Sequence, residues 1–422
     1  MSEFRKAILP NGIRVLTEHV PGLRSVSVGV WVTMGARDED PAHHGISHFI
    51  EHMIFKGTQS RSALEIAKAF DSVGGHTNAF TSRETTCFHV RVLDEHLAFV
   101  LELLTDIFLN SRFDPLEVER ERGVILQEIH MVEDTPDDLV FDLFGRHFWG
   151  DNGLGRSILG SPESVTRFDS ERLRAYTREA YTAPRVLVTA AGSVRHEALV
   201  EAIAPAFTAV PVQGRPSARQ PALPGTGAAL HEKDLEQVHL VLGCRGPAAA
   251  DPRRHAALLL NVMLGGSMSS RLFQEIREKR GLAYSVYSFL SPYEDAGLLG
   301  MYAGVAPGKA AEVAALAAGE LERLASGGVT DRELDEAKSH LRGNLFLAME
   351  NTDTRMTRLA RNEIHFGRFI PPEEALGTLE AVEPAEVQEL AAWCREGGLA
   401  VAALGPIGEP DARALEALAV GA

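Results

Sequence analysis

Two histidines and a glutamate lie within five positions of one another, as His48, Glu51 and His52 of the segment "HFIEH". In a helix, residues four positions apart lie on one face about one turn apart, so both imidazoles can bind one metal ion. Zn²⁺ accepts imidazole nitrogen, and a catalytic zinc site has three protein ligands and a fourth position for water. Glu51 can reach the same face and act as the base that takes a proton from this water.

The order His-x-x-Glu-His is the inverse of the commoner HExxH arrangement of zinc proteases. Taken alone, the five residues leave a second interpretation open. In that interpretation the two histidines border the polar edge of a core, and Glu51 faces solvent.

A third ligand is available in a later helix of the same half of the chain. Residues 114–134 begin with an Asp cap and with Pro115 in the first turn, which predicts a long helix. Glu121 and Glu128 are two helical turns apart and share one face. Glu128 has apolar neighbours on both sides, where a carboxylate needs a partner such as a metal ion. The alternative is that Glu128 lies on the solvated side of an acidic helix.

Alternating and helical apolar patterns predict the elements around these residues. In the first half, we expect strands at Ile13–Val20, Ser25–Ala36 and Arg185–Val194, and helices at Ala63–Val73, His96–Asn110 and His196–Phe207. In the second half, we expect strands at Gln237–Gly246 and across Ala283–Val305, and helices at 253–266, 270–281, Lys309–Ser326 and Thr330–Glu350, followed by a final strand and helix.

The second half repeats the order of the first, and residues 113–129 and 329–345 align at an offset of 216. The same offset places Leu264, Ser267 and Met268 opposite the His, Glu and His of the short motif, so the second copy lacks the polar cluster. The fold class we predict is α+β, with two homologous domains that each have a mixed, largely antiparallel sheet covered by helices. We expect domains at 1–210 and 229–422, joined by a Pro/Gly-rich linker at 211–228.

Composition and charge exclude several classes of function. The net charge of −16 disfavours a nucleic-acid partner, because phosphate binding requires a basic face. No apolar run has the length of a membrane span, so no membrane partner is expected. The three cysteines are far apart and odd in number, and the first residues lack the apolar stretch of a secretory signal. These features favour a cytoplasmic location.

The segments "HFIEHMIFKGT", "GGHTNAFTSRE" and "ERERGVILQEI" together resemble the insulinase/pitrilysin superfamily of zinc peptidases, the inverzincins, and in particular bacterial relatives of the mitochondrial processing peptidase β subunit. The resemblance extends over nearly the whole chain. It implies that His48, His52 and Glu128 bind one Zn²⁺ per chain and that Glu51 is the general base. It also implies that Glu121 is an accessory residue that supports the site.

The resemblance implies substrate contacts in both halves. Residues 76–82 match an edge strand of the family, on which Asn78, Ala79, Phe80 and Thr81 would bind an extended peptide; the alternative is an ordinary interior strand. Arg277 and Tyr284, seven positions apart, match an Arg and a Tyr that face the bound peptide in the family. Without the resemblance they would be interpreted as a helix-end Arg and a strand Tyr.

The family encloses its substrates in a chamber of four homologous domains, and this chain supplies two. The resemblance therefore implies a homodimer in which each chain forms half of a clamshell and Arg277 and Tyr284 act in trans, on unfolded peptide substrates. Two other functions stay open. One is a non-catalytic homologue that serves as a structural or assembly subunit, and the other is a metal-dependent hydrolase with a non-peptide substrate.

Overall fold

The computed structural model describes residues 2–214 and 219–421; residues 215–218 of the expected linker lie outside the described residues. The strands are β1 (Glu3–Ile8), β2 (Arg14–His19), β3 (Ser25–Val32), β4 (His76–Thr81), β5 (Thr86–Leu93), β6 (Val186–Gly192), β7 (Gly227–Glu232), β8 (Val238–Gly246), β9 (Ala283–Pro292), β10 (Gly297–Val305) and β11 (Ala400–Gly405). The helices are α1 (Ile46–Met53), α2 (Ala63–Ser72), α3 (Leu97–Asn110), α4 (Pro115–Asp134), α5 (Pro136–Trp149), α6 (Pro162–Val165), α7 (Ser170–Ala180), α8 (His196–Phe207), α9 (Arg254–Leu264), α10 (Ala310–Ala325), α11 (Asp331–Ala348), α12 (Thr352–Phe366), α13 (Pro372–Glu380), α14 (Pro384–Glu396) and α15 (Glu409–Gly421).

The chain forms two compact units, each built around one sheet. Unit 1 contains the described residues of 1–130, 156–219 and 347–369. Its six-stranded sheet has the order β1-β2-β6-β3-β5-β4, in which β2 and β6 are parallel and the other neighbours antiparallel. β4 is therefore an edge strand, with β5 as its one neighbour in the sheet.

Strand β3 shows that both faces of this sheet are covered. Successive side chains of a strand point to opposite faces. Val28 and Val30 belong to the large core formed with α1, α3 and α8, whereas Trp31 packs on the opposite face against Met356 of α12. The sheet is consequently buried on both sides, and every residue of β3 after Ser25 is buried.

Unit 2 contains the described residues of 131–155, 220–346 and 370–422. Its five-stranded sheet has the order β7-β11-β8-β10-β9, in which β7 and β11 are parallel and the other neighbours antiparallel. One face packs on a core formed with α9, α10 and α14. On the other face, Phe144 and Phe148 of α5 contact apolar residues of β8, β10 and β11.

The two sheets repeat one arrangement of strands. The series β2-β6-β3-β5-β4 and β7-β11-β8-β10-β9 have the same order and the same parallel and antiparallel neighbours. The offset of 216 also relates α4 to α11, but it moves the residues of α1 to positions 262–269, at and beyond the end of α9. Single-residue correspondences between α1 and the second half therefore do not follow from one offset, because the loops before these helices differ in length.

The α+β class with mixed, mainly antiparallel sheets is confirmed. The units differ from the contiguous domains expected at 1–210 and 229–422, because each sheet takes one covering helix from the other half of the chain: α12 packs in unit 1 and α5 in unit 2. The division between Arg219 and Gln220 does fall inside the expected linker 211–228. Residues 270–281, expected as a regular helix, contain a π-helical turn at Phe273–Glu278.

No helix in the described part of the chain combines the length and apolar character that crossing a bilayer requires.

Candidate metal centre

The short helix α1 separates an apolar face from a polar one. Ile46, Phe49, Ile50 and Met53 are buried in the core of unit 1, at the i, i+3, i+4, i+7 spacing of one helix face. The polar residues of the motif fall between them. Packing of the apolar face fixes the direction in which the histidines project.

The structure brings together the three side chains expected to bind the metal. Nε2 of His48 lies 3.7 Å, and Nε2 of His52 3.5 Å, from Oε2 of Glu128 on α4. Across residues 2–214 and 219–421 this is the single group of three or more His, Cys, Asp or Glu residues that could hold an ion. Ligand atoms about 2.0–2.1 Å from a tetrahedral zinc ion lie about 3.4 Å apart, and the two nitrogen–oxygen distances are close to this value.

Burial favours the neutral, ligating form of His48. The side chain is buried, and Nδ1 has no hydrogen-bond partner. Burial lowers the pKa of His48 to about 3, with a further contribution from the neighbouring charge of His52. His48 is therefore uncharged at neutral pH, and its Nε2 faces the carboxylate of Glu128.

Glu121 orients the second imidazole. Nδ1 of His52 lies 3.1 Å from Oε2 of Glu121, which leaves Nε2 to face Glu128. Burial alone would lower the pKa of His52, but the bond to Glu121 and the charges of Glu128, Glu121 and Glu51 together raise it. A carboxylate bonded to the second ring nitrogen fixes the tautomer and the ring orientation of a metal-binding histidine.

Lys56, which sequence reasoning did not single out, completes this interaction. Its Nζ lies 2.5 Å from Oε1 of Glu121, whose side chain is almost completely buried. Burial by itself would raise the pKa of Glu121, but hydrogen bonds from His52 and Lys56 lower it. The only sequence signal for Lys56 is its place four residues after His52, one turn further along the chain, although α1 ends at Met53.

Glu51 lies beside the candidate ligands with one oxygen unsatisfied. Its Oε2 is buried and has no hydrogen-bond partner. The pKa of Glu51 is raised overall, and burial is the largest cause. Hydrogen bonding to Thr81 and the charge of His52 oppose this shift, whereas the charge of Glu128 adds to it. A buried carboxylate without a full set of partners is poised to accept a proton from a group placed next to it.

The segment expected to bind peptide lies on edge strand β4. Asn78, Ala79, Phe80 and Thr81 pair with β5 on one side only. The N–H of Ala79 donates to Oδ1 of Asn78 at 2.9 Å. Because Thr81 is next to Glu51, this open edge leads directly to the candidate metal site.

Arg277 and Tyr284 lie together in unit 2. The Arg277 guanidinium is 4.8 Å from the ring centre of Tyr284 and 4.7 Å from that of Phe273. Tyr284 begins the exposed part of edge strand β9 and is 80% exposed. The pair therefore presents one cation and one hydroxyl on the surface of unit 2.

Two family descriptions match the chain. "Insulinase (Peptidase family M16)" matches residues 14–162, which include the motif of α1 and both glutamates of α4, and "Peptidase M16 inactive domain" matches residues 167–341. Curated relatives include an uncharacterized zinc protease of Streptomyces coelicolor, 40% identical over 97% of this chain and 91% of its own length. Another is the uncharacterized zinc protease YmxG of Bacillus subtilis, 40% identical over 94% of this chain and 97% of its own length.

Solved structures share the fold. A protease from Helicobacter pylori has a TM-score of 0.90 at 20% identity and covers 96% of this chain and 100% of its own. A peptidase M16 inactive domain from Pseudomonas fluorescens gives the same TM-score and identity, and covers 96% of this chain and 99% of its own. The sequence matches over nearly the full length, together with the His-x-x-Glu-His motif and its distant glutamate, show that the chain belongs to the M16 family and carries the residues of a metallopeptidase.

Proposed function

We propose that the protein is a zinc-dependent endopeptidase in which His48, His52 and Glu128 hold one zinc ion per chain. The convergence of two imidazole nitrogens and one carboxylate oxygen on one point is the observation that carries this proposal. The names of the relatives from Streptomyces coelicolor and Bacillus subtilis support zinc as the metal. When bound, zinc would polarise the scissile carbonyl and make water more acidic.

Glu51 is the general base of this proposal. Its unsatisfied Oε2 would take a proton from the attacking water and deliver it to the leaving amine. Burial raises the pKa of Glu51, which brings its basicity closer to that required at neutral pH. Glu121 and Lys56 keep His52 in the orientation that leaves Nε2 toward Glu128.

The proposed substrates are unfolded peptides in an extended conformation. The open edge of β4 offers backbone groups with which such a peptide can pair as an additional strand. Pairing through the backbone binds many sequences, so we infer broad specificity. A non-peptide substrate would not use this edge.

We further propose a homodimer in which Arg277 and Tyr284 of one chain complete the site of the other, so that two chains enclose the substrate as the halves of a clamshell. The support is the family resemblance, the two repeated sheets of this chain and the exposed position of the Arg–Tyr pair. In the site, Tyr284 would donate to the carbonyl oxygen as it gains negative charge. A cytoplasmic location is supported by the three cysteines, which are all free and buried.

The test compares the wild type with Glu51→Gln on a mixture of unfolded peptides, with zinc per chain counted in both proteins. We expect the variant to keep its zinc and to lose about 10²–10⁴-fold in rate, the usual contribution of a general base. Glu119→Gln is a control, because Glu119 lies on α4 with a largely exposed side chain. Normal cleavage by Glu51→Gln would refute the base assignment, and bound zinc without cleavage by the wild type would favour the non-catalytic homologue.

A further inference from the structure

The first turn of α1 is bound by a carboxylate from outside the helix. Oε2 of Glu39 accepts a hydrogen bond from the N–H of Gly45 at 2.7 Å, and Oε1 accepts one from the N–H of Ser47 at 2.8 Å. The first N–H groups of a helix have no partner within the helix. Gly45, at the N-cap, has no side chain with which to supply one.

The Glu39 side chain is enclosed at this position. The residue is 4% exposed, and Nη1 of Arg156 donates to its backbone oxygen at 3.0 Å. Gly45 has φ +90°, and a Cβ there would lie 2.6 Å from Cα of Gly160. The junction before α1 is therefore tight, and the two hydrogen bonds to Glu39 fix both the start and the rotation of the helix.

The metal ligands follow immediately in the chain. Ser47, which donates to Glu39, precedes His48, and His52 lies one turn further. A helix of eight residues is too short to hold its position by itself. Burial raises the pKa of Glu39 to about 7, although the hydrogen bonds from Ser47 and Gly45 lower it, so the contact with the helix rests on the two acceptor oxygens.

We propose that Glu39 is a positioning residue for the metal site: through the N–H groups of Gly45 and Ser47 its carboxylate sets the first turn of α1, and so the directions of His48 and His52. This inference rests on the proposed zinc site. Partners that orient ligands from outside the coordination shell change metal affinity by about 10–100-fold. Because Glu39 acts through the backbone, we expect about 10-fold weaker zinc binding in Glu39→Gln, which keeps one carbonyl acceptor and replaces the other with an NH₂ group that cannot accept.

The experiment measures zinc dissociation constants by competition with a chromogenic chelator. It also records the visible spectrum of the Co²⁺-substituted protein. Both measurements are made well below the melting temperature of each variant. The matched control is Glu363→Gln. Glu363 is 3% exposed and pairs with Lys6 and Arg14, but lies on α12, which covers the face of the sheet opposite to that of α1. We expect both variants to melt at a lower temperature, and only Glu39→Gln to show weaker zinc binding and altered Co²⁺ bands.

The outcomes separate this inference from the proposed function. If the wild type binds no zinc, the zinc proposal fails; if the wild type binds zinc and Glu39→Gln matches it in affinity and spectrum, the role of Glu39 is refuted. If Glu39→Gln does not fold, amide hydrogen exchange of the wild type decides the question. Slow exchange at Gly45 and Ser47 in the metal-free protein supports the inference, and exchange as fast as in an unfolded chain contradicts it.

Discussion

At the scale of single residues, His52 connects the two helices of the candidate metal centre. One ring nitrogen bonds to Glu121, the other faces Glu128, and both glutamates lie on α4. Lys56 bonds to the second oxygen of Glu121. The carboxylate between a histidine and a lysine thus fixes the ring and keeps its own charge in a nearly buried position.

Glu121→Gln should weaken zinc binding by about 10–100-fold, because the amide lacks the charge that favours the required tautomer of His52. Zinc affinity is measured by chelator competition, with Glu119→Gln as the control on the exposed side of α4. The activity of the zinc-saturated variant should fall less than that of Glu51→Gln, because Glu121 does not touch the reacting atoms. An unchanged zinc affinity would show that the contact with His52 has no orienting role.

The pH dependence of stability should reveal the buried His255 of α9. It is 7% exposed, its Nδ1 has no hydrogen-bond partner, and burial, together with the charge of Arg254, lowers the pKa of His255 to about 4 from 6.5. Between these pH values the unfolded chain binds more protons than the folded one, so stability is lost as the pH falls from 6.5 toward 4. His255→Met should remove this loss.

The measurement is the melting temperature between pH 7 and pH 4 with EDTA present, so that loss of metal does not contribute. The melting temperature of the wild type should fall relative to that of His255→Met as the pH decreases. His340→Met, at an exposed position of α11, should keep the wild-type slope. Parallel curves for wild type and His255→Met would contradict the prediction.

Sequence spacing could predict the residues of the metal centre that follow from helix geometry. His48 and His52 are one turn apart, and Glu128 is two turns from Glu121, so the helical repeat alone places each pair on one face. Glu39 and Lys56 could not be found in this way. No periodicity relates the Glu39 carboxylate to backbone N–H groups six and eight positions later, and α1 ends at Met53, before the turn that would place Lys56 on its face.

At the scale of elements, the edge strand β4 is where the proposed peptide should bind. Ala79→Pro removes one N–H without requiring a change of strand conformation, because proline is tolerated on edge strands. We expect KM for unfolded peptides to rise by up to about tenfold, the loss of one backbone hydrogen bond, with the zinc content unchanged. Peptide hydrolysis over a range of substrate concentrations measures KM and kcat separately.

Ala79→Ser is the matched control, because it keeps the N–H and adds a single oxygen to a small side chain. Its KM should remain close to that of the wild type. If Ala79→Pro leaves KM unchanged while β4 stays paired with β5, the substrate does not bind along this edge.

Apolar periodicity predicted most of the expected elements to within one or two residues, including α8 at His196–Phe207 and α4 up to Asp134, but the strand expected at Ser25–Ala36 ends at Val32. It did not predict that α5 and α12 cover the sheet of the other half. An amphipathic pattern shows that a helix buries one face, but not which sheet lies against that face. The π-helical turn at Phe273–Glu278 also has no counterpart in the periodicity.

At the scale of the whole molecule, a mixture of two impaired variants should test the shared site. Glu51→Gln lacks the base and Tyr284→Phe lacks the proposed hydroxyl donor, so each homodimer should be impaired. After subunit exchange, a mixed dimer has one site in which both residues are intact, and about a quarter of the total sites recover if exchange is random. Peptide hydrolysis before and after exchange measures the recovery, and light scattering should give twice the mass of one chain.

The control mixture combines Glu51→Gln with the double variant Glu51→Gln, Tyr284→Phe, where no exchange can restore a complete site. Recovery in the first mixture alone supports action in trans. No recovery despite demonstrated exchange would mean that Arg277 and Tyr284 do not complete the partner's site.

The assignment of α12 to unit 1 has a consequence for synthesis on the ribosome. All strands of the first sheet have been synthesised once α8 is made, yet the helix that covers Trp31 and Leu187 ends at Phe366, about 160 residues later. At about 5–20 residues per second, this delay is on the order of ten seconds. During that interval the nascent chain would carry an uncovered apolar sheet face of the kind that chaperones bind, and unit 1 can complete its fold only after α12 has been made.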